Sequence, residues 1–229
     1  MDDLQSEKEQ LEEMRAWWSE YGRYVIAGVV IAVAGLIGFN QYTSHQLTSQ
    51  TEASELFETL TEHAIDGKLD EAESIANDLA NNYANTVYAA QSKLSMARLY
   101  MDKNRDQDAA DVLNELLGMR GSEELKKIAR LRLAHVLLYQ DKPQEVVDLL
   151  ESVEVTAFAA LYDELLGDAY VGLGRFEDAG DAYRRALADP APNATVDGTL
   201  VQMKLADLPE VVVAEVAEPE IVEQGGETE

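Results

Sequence analysis

Sixteen consecutive residues, Tyr24 to Phe39 (YVIAGVVIAVAGLIGF), carry no charge, and no Asp, Glu, Lys or Arg occurs from 24 to 51. Extended to the flanking aromatic residues, Tyr21 to Tyr42, the stretch has 22 residues. As a helix at about 1.5 Å per residue it spans roughly 33 Å, the thickness of a hydrocarbon core. Trp17, Trp18, Tyr21 and Tyr24 gather at one end, Phe39 and Tyr42 at the other. Rings with an apolar body and a polar tip at both ends fit the two headgroup belts of a bilayer. A cleaved signal peptide with Ala32-Val33-Ala34 as its small-residue site fits less well, because the apolar run continues to Phe39 and the leading segment is acidic. A buried core helix fits less well again, since soluble domains seldom surround a helix that is apolar on every side. The expectation is a single transmembrane anchor over residues 21–43.

Lys8, Arg15 and Arg23 precede this span, and the next basic residue is Lys68. Because topology follows Lys and Arg and largely ignores acids, residues 1–20 are expected in the cytoplasm. Residues 44–208 are then expected outside it, which is the periplasm if the source is a Gram-negative bacterium. Gly28, Ala32, Gly35 and Gly38 give the span one small-residue face that admits a close helix neighbour, although Gly and Ala are also ordinary in such segments.

The charge excludes other classes. With 44 Asp and Glu against 18 Lys and Arg, the net charge of −26 argues against nucleic acid as a ligand. The absence of Cys removes disulfides, thiolate chemistry, Cys-ligated zinc and iron–sulfur clusters. Residues 209–229 hold seven Glu and no base, and are read as a disordered acidic tail.

From Thr51 to Leu208 apolar residues recur at three and four, and no proline occurs from 51 to 142, so the domain is predicted all-α. Helices are expected in pairs: 54–65 with 69–80, 87–101 with 106–118, 124–139 with 143–153, and 158–173 with 176–188. A last helix over 195–208 would close the stack through Met203, Lys204 and Leu205. The pairs repeat. Ala134 and Gly167, Val146 and Ala179, and Leu150 and Tyr183 are each 33 residues apart; Ala72 and Ala109, and Ala97 and Ala134, are 37 apart. The extra residues are assigned to the turn from Gly118 to Glu123. Leu166-Gly167, Tyr170, Gly174, Ala179, Tyr183 and Ala186, with Pro190 and Pro192 after them, follow the tetratricopeptide spacing. Small residues there permit close helix contact, tyrosines fill the gaps, and Gly174 suits a tight turn. A tetratricopeptide-like α-solenoid of about four hairpins plus a capping helix is the predicted fold, because each pair leaves an apolar face for its neighbour to cover.

Catalytic signatures are absent. Gly172-Leu173-Gly174 lacks the rest of a phosphate loop, His45, His63 and His135 are isolated, and no nucleophile elbow occurs. Asp102, Asn104, Asp106 and Asp108 alternate like a calcium loop, but Gln107 and Leu113 stand where such a loop needs Gly and an acidic ligand, and the string falls where the repeat needs a turn. No catalytic residue, cofactor or metal is expected. What remains is the inner face formed by the first helix of each pair. Projection of the repeat places Phe57 and Thr61, then Leu94, Arg98 and Met101, then Leu131, His135, Leu138 and Tyr139, then Leu165 and Asp168 along it. A face mixing apolar and polar side chains suits peptide segments. A basic clamp for C-terminal carboxylates needs more than Arg98.

The order of parts also resembles a known family. Trp17-Trp18, Tyr21-Gly22-Arg23, Leu36-Ile37-Gly38, Ser44-His45-Gln46, Asp102-Lys103-Asn104 and the run from Val201 to Leu208 are similar to the YfgM-like family, the ancillary subunit of the bacterial Sec translocon. The resemblance covers about residues 10–208. It implies an inner-membrane, non-enzymatic scaffold at the SecYEG channel, a periplasmic repeat domain, partnership with the PpiD-type chaperone, and handover of emerging chains to periplasmic chaperones. The residues alone leave open a regulatory or assembly scaffold of another envelope complex, acting through the cytoplasmic N-terminal segment.

Overall fold

The computed structural model describes residues 3–151, 153, 158–188 and 196–209, with side chains from Leu11 onward. The acidic tail from 210, and Pro190 and Pro192, lie outside the described residues. Among those described there are nine helices and no strand: α1 (Asp3–Ile65), α2 (Leu69–Asn82), α3 (Val87–Asp102), α4 (Asp106–Gly118), α5 (Glu123–Tyr139), α6 (Pro143–Leu150), α7 (Ala159–Gly172), α8 (Phe176–Ala188) and α9 (Gly198–Ala206). The chain is all-α, as the periodicity predicts. It divides into two compact units, with the boundary inside α3 between Ser95 and Met96.

In the first unit α1 is one helix of 63 residues, about 95 Å long. It contains a segment long and apolar enough to cross a membrane. The helix does not break where the sequence suggests separate parts, at 20/21 or 43/44, nor does a new helix begin at 54. Between Tyr42 and Glu55 there is no Gly or Pro to interrupt it. The hydroxyls there turn inward on the helix itself: Thr43 Oγ1 donates to the Phe39 carbonyl at 3.1 Å, Thr48 Oγ1 to Ser44 at 3.1 Å and Thr51 Oγ1 to Leu47 at 3.0 Å. That back-bonding satisfies the hydroxyls within the helix while sharing carbonyls already used by the ladder. Past this stretch α1 packs on α2. Ala53, Leu60, Ala72 and Leu79 are fully buried between them. Tyr83 Oη donates to Glu52 at 3.1 Å, holding the end of α2 against α1.

In the second unit each helix from α4 to α8 packs on its successor, and α5 also meets α7. That neighbour-on-neighbour pattern belongs to a helical repeat. Leu113, Leu116, Leu133, Val146, Leu150 and Tyr183 form its interior.

The hairpin turns repeat in backbone detail. Gly67, Asn104, Asp141 and Gly174 all have left-handed φ, +69°, +56°, +57° and +72°. The next residue's N–H closes on the carbonyl five back: Lys68 on His63, Arg105 on Tyr100, Lys142 on Leu137 and Arg175 on Tyr170, at 2.8–2.9 Å. The left-handed residue's own N–H reaches three back, as in Asn104 to Met101 and Gly174 to Val171, both 3.0 Å. This is the Schellman arrangement, which satisfies the last carbonyls of a helix. These positions are 37, 37 and 33 residues apart, the spacing read from the apolar residues. The residue after each is basic, and the residue three further on, Glu71, Asp108, Glu145 or Asp178, is acidic. The cation lies at the negative end of one helix and the anion in the first turn of the next.

One expectation about the repeat is corrected. The connection between α4 and α5 (119–122) is no longer than that between α2 and α3 (83–86), so the Gly118-to-Glu123 turn holds no insertion. The last interval is shorter because its helices are shorter: α6 has 8 residues against 13 in α4, and α7 has 14 against 17 in α5. The expected closing face of α9 also differs. Asp197 caps the helix by accepting from the Thr199 and Leu200 amides at 3.0 and 3.3 Å. Val201 is the fully buried anchor, Lys204 and Leu205 are half-buried beside it, and Met203 is exposed. Positions 201, 204 and 205 share one helix face, and 203 lies off it.

Candidate peptide-binding faces

In the first unit Phe57 and Thr61, both expected on the inner face, do line a groove. They follow each other at one helical turn on α1, and Ile65 continues the row. Tyr88 of α3 closes the far side, its ring 5.8 Å from that of Phe57 and tilted by 40°. Ser54, Glu58, Glu62 and Asp66 complete the wall of a groove of about 650 Å³. Leu94, also expected here, is instead buried.

In the second unit the expected residues separate into two sets. Leu131 and Leu165 are buried and hold helices together, while Tyr139 is exposed. Arg98 is exposed and lies 4.0 Å from Asp102. Met101 and Leu138 are half-buried and His135 is accessible. Arg132 of α5, which the sequence did not single out, sits near Arg98; desolvation and then the neighbouring Arg98 charge lower its pKa.

Asp168 of α7 belongs to a polar network. It accepts from Tyr183 Oη at 2.8 Å through one oxygen and from Lys204 Nζ at 2.7 Å through the other. Lys204 also donates to Glu164 at 2.8 Å. Burial acts to lower the Lys204 pKa, but its hydrogen bonds to Asp168 and Glu164 outweigh that and hold it above the usual value. Burial, then the bond to Asp168, pushes the Tyr183 phenol well up. His135 of α5 faces the same network. Desolvation lowers its pKa, with Asp168 and Glu164 pulling the other way and Lys204 adding to the lowering. Lys204 thus ties α9 to α7, a role that no spacing within α9 reveals.

A second cavity of about 420 Å³ opens against α7 and α8, lined by Glu151, Tyr162, Asp163, Tyr170, Arg175 and Arg185 among others. Its charges are matched internally. Arg175 pairs with Asp178 at 2.7 Å, Arg185 with Asp163 at 2.8 Å, and Tyr170 Oη donates to Glu151 at 3.1 Å. At the turn read as a possible calcium loop, Arg105 holds Asp108 at 2.7 Å and Gln140 donates to Asp106 at 2.8 Å.

On α1 the small-residue face lies open. A side chain placed at Gly28, Gly35 or Gly38 would meet nothing within 4 Å, and Ala32 is exposed.

Successive helical hairpins and a long apolar helix define a helical-repeat protein carrying a candidate membrane span. The tetratricopeptide repeat-like domain family model matches residues 15–210, and the chain belongs to that family. It is similar to the "Ancillary SecYEG translocon subunit" of Escherichia coli K12, 27% identical over 91% of this chain and 99% of that protein. The proteins of the same name from Aggregatibacter actinomycetemcomitans and Neisseria gonorrhoeae are each 28% identical over 88% of this chain and 97% of theirs. These are the relatives that the Trp-Trp pair, the span and the turn motifs pointed to. Among solved structures, MamA (41-end) from Desulfovibrio magneticus RS-1 superposes with a TM-score of 0.50 at 20% identity, over 69% of this chain and 94% of that one. It shares the fold.

Proposed function

We propose that this protein is a membrane-anchored scaffold at the Sec translocon, its repeat domain receiving peptide segments of other proteins. The observation that carries this reading is the end-to-end match to proteins named as ancillary SecYEG subunits, which includes the apolar helix as well as the repeats. Residues 21–43 cross the bilayer. Lys8, Arg15 and Arg23 keep residues 1–20 in the cytoplasm, and residues 44–208 form the periplasmic domain with residues 209–229 as an acidic tail. Gly28, Ala32, Gly35 and Gly38 give the span a face for another helix. The inner faces of the hairpins link emerging chains to periplasmic chaperones, a PpiD-type chaperone among them. No residue acts as a catalyst.

Purification of the full-length protein from native membranes in mild detergent, with identification of what accompanies it, tests the proposal. SecYEG subunits and a membrane-anchored chaperone are the expected companions. Recovery without any translocon subunit overturns it.

A further inference from the structure

We propose that the groove between α1 and Tyr88 is a docking site for a cationic amphipathic peptide segment of a partner protein. The inference deepens the scaffold reading and rests on it in taking the inner face as the binding face. Phe57, Thr61 and Ile65 step by four along α1, giving a floor about 12 Å long. That floor is half-buried at Phe57 and Thr61 and open at its far end, where Ile65 is 81% exposed. The volume of about 650 Å³ lies within the ~300–1,000 Å³ common for ligand sites.

The chemistry of the wall selects the occupant. Glu58, Glu62 and Asp66 step by four as well, so three carboxylates follow one edge of the apolar floor at about 6 Å intervals. Lys68 takes Asp66 at 2.8 Å. Glu58 and Glu62 make no ion pair among the described residues, although the Lys68 charge that pairs with Asp66 also reaches Glu62, and the residues lining the groove include no Lys or Arg. The groove also lies at the C-terminal end of α1, where the helix dipole adds negative potential. A segment with aliphatic side chains on one face and Lys or Arg at matching spacing satisfies both surfaces. The chain's own segment 209–229, with seven Glu and no base, is repelled. Anionic lipid and nucleic acid are repelled for the same reason.

Full-length protein in zwitterionic phosphatidylcholine nanodiscs, titrated into a fluorescein-labelled 14-residue Leu/Lys amphipathic peptide, tests the site by anisotropy. Protein-free nanodiscs supply the lipid background. Saturable binding above that background is expected, with no binding of the Leu/Glu counterpart. The double substitution Glu58→Gln/Glu62→Gln removes charge from two exposed positions without disturbing the core, and weakens the Leu/Lys peptide about tenfold, the loss of two partly screened pairs. Glu58→Lys/Glu62→Lys reverses the preference toward the Leu/Glu peptide. Absence of binding, equal binding of both peptides, or unchanged affinity in the Gln double variant overturns the inference. Translocon co-purification is scored separately on the same variants. Retained translocon association with charge-indifferent peptide binding sinks the groove alone, and charge-selective binding without translocon association sinks the scaffold reading alone.

Discussion

Gly167 and Tyr183 lie one helix apart and occupy each other's space. A Cβ at Gly167 would collide with the ring of Tyr183. The ring cannot withdraw, because it is 2% exposed and its hydroxyl is held by Asp168 at 2.8 Å. Gly167→Ala is therefore expected to destabilise the repeat domain by about 1–3 kcal/mol, the cost of overpacking a filled core. A lowered urea midpoint of the full-length protein in detergent micelles, followed by helical circular dichroism, checks this. The penalty should shrink in a Tyr183→Leu background, since the two changes share one volume and are not additive. An equal penalty in both backgrounds would place the strain elsewhere. The two roles were legible from the sequence, because Gly167 and Tyr183 stand at tetratricopeptide spacing as a close-contact position and a gap filler; that they meet each other was not. The Asp168–Lys204–Glu164 cluster was not legible. Asp168 was placed on the inner face and Lys204 on the closing face, but Lys204 is 36 residues from Asp168 and 40 from Glu164, and no spacing marked the three as partners.

At the scale of the element, the four turns carry one backbone design with three residue types, Gly, Asn and Asp. Gly at 67 and 174 adopts left-handed φ freely, whereas Asn104 and Asp141 carry a Cβ into the same region. Asn104→Gly is expected to raise stability by a few tenths to about 1 kcal/mol, as the native strain is relieved against a more flexible unfolded chain. Gly174→Ala should lower it by about 1 kcal/mol or more. Opposite shifts of the urea midpoint confirm that position, rather than residue type, sets the sign; shifts in the same direction refute it. Hairpin boundaries were readable to within a few residues because short polar turns separate strongly periodic runs. The continuity of α1 was not. Hydropathy changes abruptly after Phe39, and a change in solvent reads as a change of element. A helix, however, is interrupted by backbone chemistry, and residues 43–54 hold no Gly or Pro to supply it; their threonine hydroxyls are satisfied on the preceding turn.

At the scale of the whole molecule, that continuity puts the candidate span and the groove on one helix. The apolar segment and the row Phe57, Thr61 and Ile65 belong to a single helix, so their angular relation is fixed at about 100° per residue. The sequence disclosed two members of the row, since Phe57 and Thr61 were placed on the inner face by repeat projection, while Ile65 was not. It did not disclose the acidic edge, because Glu58 and Glu62 look like any solvated pair until the Tyr88 ring closes the other side. A span held by neighbours in the bilayer would then aim the groove in a set direction. Two alanines inserted after Gln46 rotate everything beyond them by about 200°, while four inserted residues restore the direction to within about 40°. With a photo-crosslinking residue at the exposed position of Ile65, the full-length protein in cell membranes should lose its cross-links with the two-residue insertion and keep them with the four-residue one. If both insertions cross-link alike, span and groove are not phased by a rigid helix. If both abolish cross-linking, distance from the bilayer, which differs by only about 3 Å between them, governs the contact in place of direction.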